Sequence, residues 1–163
     1  MTTLLRVVSR LRRCVRSFPE DVRPQLTDAA TPADVDLLVA VLGHSLPPDF
    51  AAFLNCHDEL FAMDFRCGLC VGGAFELTKS IQRADLPRSL TWGNSTVVVF
   101  PVAKDGCGRA FLLSHQGDRV WRYDPSTLQA LPVATDFTHF LNLVLADFLH
   151  CVVYDRNWQY LLA

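Results

Sequence analysis

No apolar stretch in these 163 residues approaches the roughly 20 needed to cross a bilayer; the longest, such as Val97 to Phe100, are far shorter. No Arg-flanked apolar region of signal-peptide length opens the chain, which speaks against secretion and for a cytoplasmic protein. There is no internal repeat and no low-complexity linker, so a solenoid or a tethered pair of domains is not expected. The glycines never fall into a phosphate loop or a dinucleotide fingerprint, and no strand–Gly-x-Ser-x-Gly–helix elbow frames a serine. Residues 1–19 contain no acid at all.

What is present points to one domain. A chain of this length buries roughly 70% of its unfolded surface and needs no disulfide or metal to fold, and half of its residues are apolar. The six cysteines are therefore expected to stay as thiols in a reducing compartment. Charge is uneven: +5 over residues 1–19, −8 over 20–76 and +1 over 77–163. A negative region of that size attracts a basic partner and repels nucleic acid.

Apolar residues at Leu4, Val7, Val8, Leu11 and Val15 predict an amphipathic N-terminal helix with Arg6, Arg10, Arg12, Arg13 and Arg16 opposite. Three readings fit this segment (residues 1–19): a helix packed on the domain, a mitochondrial presequence, or an arm for membrane or nucleic acid. Pro19 and Pro24 break it. Thr31 as N-cap, Pro32 at the first turn and Gly43 as stop bracket a second helix, with Val35, Leu38, Val39 and Leu42 on its apolar stripe. Leu46-Pro47-Pro48-Asp49-Phe50 starts a short third helix that ends near Asn55.

The middle of the chain reads as strands and turns. Ala74-Phe75-Glu76-Leu77 after Gly72-Gly73 is read as strand-like, as is Thr96 to Phe100 after Trp92-Gly93-Asn94. Turns at Lys104 to Gly108 and His115 to Asp118 separate strands at Ala110 to Leu113 and Val120 to Tyr123, which predicts an antiparallel meander. Asp136 to Leu149 carries Phe137, Phe140, Leu141, Val144, Leu145 and Phe148 on one helical stripe, and a tail follows with an apolar run from Cys151 to Tyr154, then Trp158 and Tyr160. The fold class expected is α+β, an antiparallel meander sheet with helices packed on one side.

Taken in order, these pieces resemble the SUKH superfamily. They are the helix Val35 to Gly43, the step Leu46-Pro47-Pro48-Asp49-Phe50-Ala51-Ala52-Phe53-Leu54, and the strand Val97 to Ala103. The turn Asp105-Gly106-Cys107-Gly108 comes next, then strands Ala110 to Leu113 and Val120 to Asp124, and Phe137, Phe140 and Leu141 in the last helix. The resemblance spans about Thr31 to Leu149, within a single SUKH-like domain over residues 20–163. It departs at Asn55-Cys56-His57, where the family usually has Asn-Gly. It implies a binding fold without a catalytic constellation. Bacterial members resemble immunity proteins that neutralise toxins, often nucleases; fungal members resemble regulators of cell-wall synthesis, and related domains occur in DNA viruses, including herpesviruses.

Chemistry-bearing residues each have a plainer reading beside the functional one. Cys67 and Cys70 form one zinc-type pair, with Cys56-His57 eleven residues before it, but adjacent side chains diverge and seldom reach one ion. His115 and His139 are expected to be solvated. Asp105 to Gly108 is a hairpin turn before it is an anion nest. Trp121 and Tyr123 share one strand face, read as core rather than as a nucleic-acid platform.

The function expected is therefore a non-enzymatic protein-binding module, an immunity protein against a basic, nuclease-type toxin. The alternatives are a viral or eukaryotic regulatory protein on the same fold, and a zinc- or cysteine-dependent enzyme. Asp34, Asp36, Asp49, Asp58 and Glu59 are the expected partner contacts. No cofactor, metal, nucleic acid or membrane is expected, and the chain is expected to be a monomer or weak dimer.

Overall fold

The structure, a computed structural model, describes residues 3–63, 65, 68–151 and 160–161. Helix α1 (Thr3–Ser17) leads through a single turn at Glu20–Val22 into strand β1 (Gln25–Leu26). Helices α2 (Pro32–Leu42) and α3 (Pro48–Leu54) follow, then β2 (Glu59–Phe61), β3 (Cys70–Gly72) and helix α4 (Ala74–Arg83). Strands β4 (Ser89–Trp92), β5 (Ser95–Lys104), β6 (Ala110–Ser114), β7 (Val120–Asp124) and β8 (Gln129–Ala134) lead to the last helix, α5 (Phe137–Cys151). The protein is α+β. Its antiparallel sheet runs β1-β2-β3-β5-β6-β7-β8, and β4 pairs with the opening residues of β5. Among the described residues, no helix is long and apolar enough to cross a membrane.

Local sequence accounts for most of these boundaries. In α2, Thr31 Oγ1 accepts from Asp34 N, Pro32 occupies the first turn, and Gly43 turns left-handed (φ 78°) so that its N–H reaches Val39 O. In α1, the apolar stripe buries Leu4, Val7, Val8, Leu11 and Val15, with Cys14 beside them. The stripe packs on α5 and α3. Each such side chain contributes about 1.5–3 kcal/mol on burial, so α1 is part of the core rather than an appendage.

The sheet is buried on two sides. On the helix side, Phe100, Val102, Phe111, Leu113 and Val120 meet Phe50, Phe53, Phe137, Phe140 and Leu141. Alternation along β6 and β7 sends Ala110, Leu112, Trp121 and Tyr123 to the other face, where they pack with Val99 under Leu86 and Leu90. Trp121 and Tyr123 thus lie in a core, as their spacing predicts. The end of the chain is held by Asp147, fully buried on α5, whose carboxylate accepts from Tyr160 N at 2.9 Å and Leu161 N at 2.8 Å.

Three expectations require correction. Ala74 to Leu77 opens helix α4 and is not a strand: Leu77, Thr78 and Ile81 form its buried stripe. His115 is not simply solvated, since its ring stacks edge-on to His44 at 3.7 Å and its Nδ1 is buried. Cys107 is disulfide-bonded, so the six cysteines do not all remain thiols; Cys14, Cys56 and Cys70 do. Cys67, Val152 to Tyr154 and Trp158 lie outside the described residues.

Candidate functional site

Of the five acids expected to contact a partner, three have internal duties. Asp34 closes the start of α2, its Oδ2 accepting from Thr31 Oγ1 at 2.5 Å. Asp49 on α3 accepts from Thr138 Oγ1 on α5 at 2.5 Å, joining the two helices. Asp58 Oδ1 accepts from Ala74 N at 2.8 Å, placing a carboxylate at the N-terminus of α4, where the helix dipole favours it. Asp36 is exposed on α2. Glu59 is half-buried on β2, its carboxylate lying over Gly73 so closely that a Cβ there would fall 2.2 Å from Oε1.

The structure brings Asp58 and Glu59 together and adds Glu76, from the first turn of α4. Burial first, then the charges of Asp58 and Glu76, push the Glu59 carboxyl above its ordinary pKa. Next to it, the Cys70 thiol stands 4.0 Å from Glu59 Oε1. Burial, then the neighbouring carboxylates, push that thiol up to about 12, so it is protonated at neutral pH and a poor nucleophile or metal ligand. Among the described residues no three His, Cys, Asp or Glu side chains are grouped to hold a metal ion.

The remaining candidates have structural partners. Asp105 is buried and its Oδ1 accepts from Cys107 N at 3.0 Å and Arg109 N at 2.8 Å. The turn's own amides therefore point at its own carboxylate and are not presented to an outside anion. Gly108 supplies the positive φ (88°) that closes this hairpin. His139 Nδ1 accepts from Thr135 N at 3.2 Å, before the first turn of α5.

A second charged feature comes from α1. Arg6, Arg10, Arg12, Arg13 and Arg16 are all exposed. Among the described residues the ion pairs are Lys79–Glu76 at 3.2 Å and Arg109–Asp105 at 3.5 Å, and neither involves α1. Arg12, Arg16, Arg23 and His57 line a groove of about 420 Å³ whose other walls are Val15, Pro24, Gln25 and Leu26.

Two of the guanidiniums in this groove are anchored. Arg12 Nε donates to His57 Nε2 at 2.7 Å, and Arg23 Nε and Nη2 donate to Phe18 O at 3.2 and 3.1 Å. Because His57 Nε2 accepts, its proton sits on Nδ1 and is donated to Thr27 O at 2.6 Å. Burial foremost, and the Arg12 charge, hold His57 below its ordinary pKa; the Thr27 carbonyl and Asp28 act the other way.

No protein-family model matches the chain, and no curated protein matches it either.

Proposed function

We propose that this chain is a non-enzymatic protein-binding domain on a SUKH-like fold, acting as an immunity protein that neutralises a basic, nuclease-type toxin by direct contact. The observation that carries this reading is the cluster of Asp58, Glu59 and Glu76. A half-buried carboxylate crowded by two others is relieved when a cation arrives, and a guanidinium would bring directional hydrogen bonds as well. Such a cluster also speeds encounter with a basic surface. The contact set is narrower than the five acids above: Glu59 and Asp36 face a partner, while Asp34, Asp49 and Asp58 shape the elements that carry them.

The alternative, a viral or eukaryotic regulatory protein on the same fold, is favoured by α1, whose exposed arginines have no ionic partner among the described residues. The two readings separate in one experiment. The gene beside this chain's own is expressed alone, with the wild-type chain, and with the Glu59→Lys variant. An immunity protein restores growth against a toxic neighbour and the variant does so less well. A neighbour that is harmless, or toxic and unaffected by the wild-type chain, overturns the immunity reading.

A further inference from the structure

The groove between α1 and β1 carries charge opposite to that of the acidic cluster and is built from different residues. Three guanidiniums line it, and among the described residues no acid does. Asp28 acts on His57, and Glu20 and Asp21 line an adjoining groove that shares Arg23 and Gln25. Arginines on an exposed helix usually sweep out many rotamers, which weakens any one contact. Here Arg12 is fixed by its Nε bond to His57, and Arg23 by two bonds to the Phe18 carbonyl. Among the described residues nothing engages the terminal N–H groups of Arg12, Nη1 of Arg23 or the guanidinium of Arg16, which leaves them for a ligand.

We infer that this groove binds a phosphate monoester, with Arg12, Arg16 and Arg23 holding the dianion. Charge favours a phosphate over a single carboxylate, which would leave two of the three cations uncompensated. Its oxygens match planar guanidinium forks, the geometry in which Arg outperforms Lys. The groove is larger than a bare ion needs and lies within the range of small-molecule sites. Val15, Pro24 and Leu26 give it an apolar wall against which the carbon skeleton carrying the phosphate packs. That skeleton is either a phosphorylated side chain of a protein or a nucleotide; the phosphate chemistry is the same.

The test is a titration of the full chain followed by NMR on the Arg side-chain Nε–Hε signals and the His57 ring. Inorganic phosphate, a capped phosphoserine peptide, adenosine monophosphate and an oligothymidylate serve as probes. The monoesters are expected to shift the Arg12, Arg16 and Arg23 signals. Arg16→Gln is expected to weaken binding about tenfold, as the loss of one charge-assisted contact implies. Arg13→Gln, on the neighbouring flank of α1 with Arg10 and Ser17, is expected to leave it unchanged. Tighter binding of the phosphopeptide assigns the site to a phosphorylated protein, and tighter binding of the nucleotide assigns it to a nucleotide. Absence of any shift, equal weakening by both variants, or tighter binding of the oligothymidylate than of any monoester would overturn the inference. None of these results bears on the acidic cluster, which Glu59→Lys tests separately.

Discussion

Arg12 on α1 donates through Nε to Nε2 of His57, 45 residues away in the chain and 2.7 Å away in the fold. The contact is made to a neutral ring, since a protonated His57 would present a second N–H to the donor. It joins the first helix to the segment between α3 and β2.

That contact gives the protein a pH dependence of known sign. His57 is held below its ordinary value of 6.5 by burial and by Arg12. As pH falls below that value the unfolded chain takes up the proton first, so stability declines with acidification down to the folded-state pKa and is flat above neutrality. Urea midpoints measured between about pH 7.5 and about pH 5.5 are expected to fall more steeply for the wild type than for His57→Asn. Parallel curves would remove His57 from this role.

A remote carboxylate starts α4. The N-cap position is Gly73, which has no side chain to offer, and Asp58 supplies the acceptor instead. Asp58→Ala is expected to lower stability by about 1 kcal/mol, the usual cost of a lost cap, while Asp58→Asn, which keeps an acceptor oxygen, costs less. Urea denaturation with far-ultraviolet circular dichroism reads both.

Helices α1, α2, α3 and α5 and strands β5, β6 and β7 are legible in the sequence because their signals are local, whereas β8 is not. Thr31, Pro32 and Gly43 bracket α2 within the helix's own residues, and Asp105 and Gly108 close their hairpin within five positions. Helix α4 looks like a strand over Ala74 to Leu77, where Phe75 and Leu77 alternate; its helical period emerges only on reaching Ile81. Its capping group lies sixteen residues upstream, where no local pattern reveals it. The same limit hid Glu76 from the acidic cluster and His57 from the arginine groove. In both cases a long-range pairing creates the site: β2 with β3 for the first, and α1 with His57 for the second.

Glu59 links stability to the proposed binding. Its pKa is raised in the fold, so the native state favours the protonated form; the stabilisation it gives is greatest at acid pH and is lost as pH rises through the folded value. At neutral pH the ionised side chain is therefore a cost. Glu59→Gln is expected to stabilise the protein slightly, by less than about 1 kcal/mol for a group in partial contact with solvent, and to weaken its contact with a basic partner. Thermal denaturation and binding measured on the same preparation test whether the two move in opposite directions.

The proposed contact of Glu59 and its neighbours with a basic protein is best tested by chemical crosslinking with mass spectrometry in the native host. A basic protein joined to residues near Glu59 and Glu76 is expected, recovered with the wild-type chain and depleted with Glu59→Lys. Recovery of the same protein at equal yield with the variant, or crosslinks confined to α1, would contradict it.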